Sequence, residues 1–104
     1  MKSMMDDSSL RRSLDHYVKS RMKEIPSDIN QTFQGTKKIW KCENELDFLY
    51  GYYVGKLEEG SIHFLSKATR ASLRGWLDHF EIREIIESHR QELRDMIYKT
   101  IDNS

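Results

Sequence analysis

The stretch Phe48-Leu49-Tyr50-Gly51-Tyr52-Tyr53-Val54-Gly55 decides the fold, because these eight residues carry no charge. In a helix they would present apolar or aromatic groups on every side, and such a helix must be covered by its own domain or by a partner. The same composition suits a buried strand, and short apolar runs do not separate the two structures. The continuation into Lys56-Leu57-Glu58-Glu59 and the lack of a partner strand elsewhere favour a helix. We therefore predict that this stretch forms a helix at the centre of the core.

Length and composition predict one soluble helical domain. A chain of 104 residues buries roughly 65% of the surface that its unfolded form exposes, enough for one core. One proline and five glycines leave little room for hairpins, which favours an all-α fold. We assign residues 1–9 to a flexible N-terminal segment and residues 10–104 to a single helical domain. The 17 basic and 17 acidic side chains cancel, so net charge indicates no particular class of partner.

The same residues argue against secretion and against a membrane span. No apolar run of signal-peptide length follows the N-terminus. The longest uncharged apolar stretch is far shorter than the ~20 residues that cross a bilayer. Cys42 is the one cysteine and cannot form an internal disulfide. We expect a cytoplasmic protein that does not contact a membrane.

Apolar spacing predicts a small helical bundle of three main helices and two shorter ones, with a second copy as the candidate that completes it. The main helices are predicted over residues 10–25, 39–59 and 79–101, and the shorter ones over 27–34 and 62–77. In the first, apolar residues recur every three or four positions until Pro26, which restricts the residue before it and donates no N–H. In the last, Ile82, His89 and Ile97 belong to one heptad-like seam, and Asp78 is its predicted cap.

Several helix boundaries depend on single residues. Gly35 is predicted to close the second helix, and Gly60 followed by Ser61 predicts a stop and a new cap. A weak point in the 62–77 helix is placed near residues 68–72 or at Gly75. Two interpretations stay open for the central element: it continues without a break from Ile39, or it restarts with Asn44 as its cap.

Catalytic motifs are absent from the sequence. It contains no glycine-rich phosphate loop, no pair of histidines four apart and no Glu-x-x-His pair. We predict no cofactor, no metal and no catalytic residue, and interpret His89 as a core or interface histidine. The favoured function is a small non-catalytic interaction protein that binds itself as a homodimer, or binds another protein. Gly51 and Gly55 lie on one helix face and form the predicted helix-contact face, which meets either the same chain or a partner.

Two alternative functions rest on other residues. The first is nucleic-acid binding through a basic stripe of His63, Lys67, Arg70 and Arg74. The second alternative is a small-ligand or enzymatic site, because buried tyrosine hydroxyls need polar partners. The further residues predicted for the nucleic-acid surface are Lys37, Lys38 and Trp40, and those predicted to line the pocket are Tyr50, Tyr52 and Tyr53.

Overall fold

A computed structural model describes residues 7–68 and 79–102 of the chain, which are helical almost throughout and contain no strand. The helices are α1 (Asp7–Met22), α2 (Ile25–Asp28), α3 (Gln34–Thr36), α4 (Glu45–Ala68), α5 (His79–Glu87) and α6 (Arg90–Asp102), with a π-helical turn over Ile29–Phe33 between α2 and α3. The predicted all-α fold is confirmed. The predicted cap Asp78, the weak point near Gly75 and residues 69–77 of the predicted 62–77 helix lie outside the described residues.

Apolar seams drive the assembly, as the sequence pattern predicts. Leu10, Leu14 and Val18 of α1 are completely buried, and Leu49 and Tyr53 of α4 are nearly so. The helix α4 contacts α1, α5 and α6, so it is the central element of the bundle. Each fully buried leucine contributes about 1.5–3 kcal/mol relative to an exposed one. The remaining members of the core are Met22, Ile25, Ile29, Phe33, Leu57, Leu65, Ile82, Ile85, Ile86, Leu93 and Ile97.

The first predicted helix begins and ends earlier than expected. It starts at Asp7 and stops at Met22, where the Glu24 N–H donates to the Arg21 carbonyl at 3.0 Å in a turn. Pro26 does not end that helix, contrary to the prediction, because α1 stops four residues earlier. It lies instead in the first turn of α2, where a backbone N–H would have no partner within the helix. The helical chain then runs through Gly35 to Thr36, so the prediction that Gly35 closes it is wrong.

Asn44 decides between the two interpretations of the central element. Its Oδ1 accepts a hydrogen bond from the Asp47 N–H at 2.9 Å, which is the geometry of an N-cap. The helix α4 therefore begins at Glu45, in agreement with the interpretation that the element restarts at Asn44, and the alternative of an unbroken helix from Ile39 is wrong.

Gly60 does not stop α4, contrary to the prediction. The helix continues to Ala68, and Ser61 is a completely buried helical residue rather than a cap. A Cβ at Gly60 would lie only 2.6 Å from the Tyr17 hydroxyl. The ring of Tyr17 stacks on Phe64 with centroids 4.7 Å apart. The glycine thus makes room for the aromatic pair that joins α1 to α4.

The last predicted helix is divided in two, which the seam alone did not indicate. The Ser88 hydroxyl donates to the Ile85 carbonyl at 2.6 Å, and the His89 N–H donates to the Ile86 carbonyl at 3.0 Å. These bonds close α5 with a tight turn, and α6 starts at Arg90. The prediction of one unbroken helix over 79–101 is therefore wrong, although its apolar residues are buried as expected.

Ion pairs between residues far apart in sequence join the helices. Arg11 Nη2 of α1 lies 2.6 Å from Glu81 Oε2 of α5, and Arg94 Nη2 of α6 lies 3.2 Å from Asp47 Oδ1 of α4. Arg83 makes two hydrogen bonds to Glu58, at 2.7 and 3.1 Å, and these together with its charge hold the pKa of Glu58 below its usual value. Solvent screens such exposed pairs, so they contribute little to stability and mainly fix the register of the helices.

We predict that Gly60→Ala destabilises the protein, although alanine is favoured over glycine inside a helix by roughly 0.8–1 kcal/mol. The added methyl group displaces the Tyr17 hydroxyl and disturbs its stacking on Phe64. In a Tyr17→Phe background the clashing oxygen is gone, so the same change should be neutral or stabilising. Urea denaturation of the four proteins of this cycle measures the coupling.

The matched control is Gly35→Ala, because a Cβ at this helical glycine has no described atom within 4 Å. It should not reduce the free energy of unfolding. Equal effects of Gly60→Ala with and without the Tyr17 hydroxyl would contradict the proposed role of Gly60.

Candidate functional site

One side of α4 is exposed although it contains no charge over two turns. Gly51 and Gly55 are both exposed, and no described atom lies within 4 Å of the position that a Cβ would occupy at either residue. Tyr52, on the same side, is 37% exposed. The described part of the chain therefore places no helix in close contact with these two glycines.

Aromatic rings border the two glycines. Phe48 and Tyr52 lie one turn apart with nearly parallel rings, and Trp40 packs edge-on against both at centroid distances of 5.9 and 6.2 Å. Trp40 remains 48% exposed. We call the set of Trp40, Phe48, Gly51, Tyr52 and Gly55 the glycine–aromatic face. Its shape is a shallow strip of helix backbone beside a wall of rings.

The hydroxyls of the three tyrosines predicted to line one pocket have different surroundings. Tyr52 belongs to the glycine–aromatic face, with the Lys56 Nζ 5.3 Å from its ring centroid. Tyr50 faces α6, where the guanidinium carbons of Arg94 and Arg90 lie 5.2 and 5.8 Å from its ring centroid. Tyr53 points to the other side, towards α2. Tyr52 and Tyr53 still touch, with ring centroids 5.0 Å apart, and both line a cavity of about 40 Å³, whereas Tyr50 lies apart from them against α6.

Tyr53 is the most strongly perturbed titratable group among the described residues. Its hydroxyl is buried and donates a hydrogen bond of 2.5 Å to Asp28 Oδ2. Burial raises the pKa of this hydroxyl well above its ordinary value, and the hydrogen bond to Asp28 and the charge of Asp28 raise it further. The contact joins α2 to α4 across 25 residues of sequence.

A cleft of about 560 Å³ lies beside this hydrogen bond, between the end of α1, the start of α2 and the middle of α4. We call it the α1–α4 cleft. Its volume is within the range of small-molecule sites. Buried Ile25 and Leu57 supply its apolar part. Its lining residues are Tyr17, Arg21, Lys23, Glu24, Ile25, Ser27, Asp28, Gln31, Tyr53, Lys56, Leu57 and Gly60.

The basic stripe is described only in part. His63 and Lys67 are exposed one turn apart near the end of α4, whereas Arg70 and Arg74 lie outside the described residues. Lys37 Nζ is 3.8 Å from Glu45 Oε2, which offsets part of the positive charge near Trp40, and Lys38 is exposed. Nucleic-acid binding through these residues stays a prediction.

His89 lies at the junction of α5 and α6. Its Nε2 is 2.6 Å from Asp15 Oδ1, and its Nδ1 is 3.5 Å from Glu92 Oε1. Because both ring nitrogens face carboxylates, neither is directed at a space where a substrate could bind. The histidine holds the junction against α1.

Across residues 7–68 and 79–102, no group of three or more His, Cys, Asp or Glu side chains is arranged to hold a metal ion. Over the same ranges, no helix combines the length and apolarity that a membrane crossing requires. Sequence reasoning did not identify Tyr17, Asp28 or Gly60 as site residues. No local sequence motif marks these three residues, because their contacts join segments that are far apart in sequence.

Comparison with known proteins gives no relative: no protein-family model, no curated protein and no solved structure matches this chain. No substrate or partner is therefore indicated by similarity.

We predict that the Tyr53–Asp28 contact makes the protein sensitive to alkaline pH. The folded state keeps the Tyr53 hydroxyl neutral, whereas the unfolded chain ionises it at a pH of about 10. The stabilising contribution is therefore complete below that pH and is lost as the pH rises above it. Tyr53→Phe should lower stability at neutral pH and make the alkaline loss less steep, as measured by urea denaturation over a pH series.

Tyr98→Phe is the control, because Tyr98 is 54% exposed. It should leave the alkaline slope unchanged. The interpretation fails if the Tyr53→Phe protein loses stability above pH ~10 as steeply as the unmodified one.

Proposed function

We propose that this chain is a small non-catalytic interaction protein that forms a homodimer through its glycine–aromatic face. The observation that carries the proposal is the pair of exposed helical glycines, Gly51 and Gly55, with open space at their Cβ positions beside partly exposed rings. Each helical glycine costs roughly 0.8–1 kcal/mol relative to alanine. A second helix that approaches the bare backbone would offset this cost by close packing.

The neighbouring apolar surface supports the same conclusion. Trp40 and Tyr52 are partly exposed, and Ile39, next to Trp40 in sequence, is 77% exposed. Aromatic residues are enriched at protein interfaces, and a contiguous apolar patch typically marks a contact surface. The Tyr52 hydroxyl has no hydrogen-bond partner among residues 7–68 and 79–102, so it is available to an acceptor on another chain.

The charges on α4 favour a second copy in the antiparallel orientation. Glu59 lies one turn after Gly55 and is exposed near the middle of the same side. In a parallel two-fold dimer, each Glu59 carboxylate would oppose that of its partner. In an antiparallel dimer centred on Gly55, the two Glu59 residues lie about 12 Å apart along the helix axis. Each then faces Gly51 and the Tyr52 hydroxyl of the partner subunit.

The same antiparallel arrangement aligns apolar residues. Phe48 and Ile62 lie seven positions before and after Gly55, so each would meet the other residue on the partner. Both are partly exposed in the single chain. Closed two-fold dimers with self-complementary patches are the commonest protein assemblies.

Light scattering on the full chain tests the dimer. We expect twice the chain mass of 12.4 kDa, and a monomer for Gly55→Leu, whose side chain blocks the close approach. The helix itself should tolerate leucine, because nothing described lies near that Cβ position. The control Lys99→Leu adds the same side chain at an exposed position of α6 and should remain dimeric. A monomeric parent protein would overturn the proposal.

Disulfide trapping tests the orientation, in a Cys42→Ser background. The antiparallel dimer predicts that Glu59→Cys does not cross-link with itself, because two cysteines bridge only when their Cα atoms are within about 7 Å. A mixture of the Glu59→Cys and Tyr52→Cys proteins should form the mixed disulfide. Efficient self-linking of Glu59→Cys would instead indicate the parallel dimer.

A further inference from the structure

The α1–α4 cleft lies on a different side of α4 from the glycine–aromatic face. Tyr53, Leu57 and Gly60 of α4 line it, whereas Gly51 and Gly55 lie on the other side of the helix. Lys56 lies between the two surfaces: it lines the cleft, and its Nζ is 5.3 Å from the Tyr52 ring of that face. The cleft is also open to solvent, so a small molecule can reach it without a change in the fold.

The charges in the cleft do not cancel. Its two carboxylates are already engaged, since Glu24 pairs with Arg21 at 2.9 Å and Asp28 accepts the Tyr53 hydroxyl at 2.5 Å. Lys23 and Lys56 have no ion-pair partner among the described residues. Lys56 Nζ lies 5.3 Å from the ring centroid of Tyr52, a weak interaction at an exposed site. Two ammonium groups at the cleft are thus available to a negative charge.

The uncharged groups that line the cleft indicate what the rest of the ligand must be like. The Tyr17 hydroxyl lies over Gly60, has no hydrogen-bond partner among the described residues, and lines the cleft. Ile25 and Leu57 form an apolar floor, and each is no more than 5% exposed. Gln31 extends into the lining from the π-helical turn, a distortion that recurs at functional sites.

From these contacts we propose that the α1–α4 cleft binds a small amphipathic acid. Its carboxylate is held by Lys23, Lys56 and the Tyr17 hydroxyl, and its short apolar tail lies against Ile25 and Leu57. Charge-assisted hydrogen bonds from the ammonium groups fix the acidic end, and the buried floor favours a tail over water. The volume of about 560 Å³ accommodates a molecule of this size.

Three probes on the isotopically labelled full chain separate the contributions of charge and tail. Octanoate carries both the acid and the apolar tail, octylammonium carries the tail with the opposite charge, and acetate carries the acid alone. We expect octanoate to shift the backbone amide signals of residues 23–28 and 53–60 in a saturable manner. Octylammonium and acetate at equal concentration and ionic strength should not do so.

Variants then assign the contacts. Lys23→Gln and Lys56→Gln should each weaken octanoate binding about tenfold, the size expected for loss of one charge-assisted contact. Lys99→Gln makes the same change in net charge at an exposed site on α6, outside the cleft, and should bind octanoate as the parent does. The spectra of the free variants show directly whether each one is folded.

Several results would overturn the proposal: no saturable shift with octanoate, equal binding of octylammonium, or an octanoate affinity that Lys23→Gln and Lys56→Gln leave unchanged. Because the signals report the cleft itself, these results do not depend on whether the chain is a monomer or a dimer. Failure of this site therefore leaves the proposed homodimer unaffected, and failure of the dimer leaves this site testable.

Discussion

The structure depends on the one-sided burial of α4. Leu49, Tyr53, Leu57 and Leu65 are buried at spacings of four and eight residues, and the fully buried seam of α1 supplies much of their cover. Burial of such side chains is the largest favourable contribution to folding. Because only one side of the helix is covered, the opposite side of an uncharged stretch remains in solvent. The one-sided burial of α4 thus stabilises the monomer and also leaves the glycine–aromatic face exposed.

The contact between α1 and α4 also sets the position of the α1–α4 cleft. Tyr17 stacks on Phe64 and lies over Gly60, so the two helices approach closely at that point. The end of α1 then turns at residues 23–24, and α2 begins beside α4 close enough for Asp28 to accept the Tyr53 hydroxyl. The α1–α4 cleft is the space that remains between these contacts. Its existence follows from the packing of aromatic rings rather than from any local sequence motif.

Charge contributes to the arrangement of the helices more than to the energy of the fold. Arg11, Arg83 and Arg94 each connect a different pair of helices, and His89 holds the α5–α6 junction next to Asp15 of α1. Most of these groups remain partly exposed, where solvent screens their attraction. They discriminate between alternative packings of similar apolar area. Lys23 and Lys56 remain without ion-pair partners in the described part of the chain.

The sequence alone determined the fold class and most of the core, because helical periodicity of apolar residues reflects which side must leave water. The seam from Leu10 to Met22 and the apolar residues of α5 and α6 are buried as their spacing indicates.

Tertiary structure decided the role of single residues for which the sequence allows two roles. Gly60 is a site of close packing rather than a stop, because Tyr17 lies against it. Ser88 and His89 end a helix within an unbroken seam, because their polar groups find partners in the preceding turn and on α1. The three tyrosines of the opening stretch separate into three environments, since a glycine face, a buried acid and two arginines lie around one helix. The partners of Gly60, Tyr53 and His89 come from distant parts of the chain, and no local pattern encodes them.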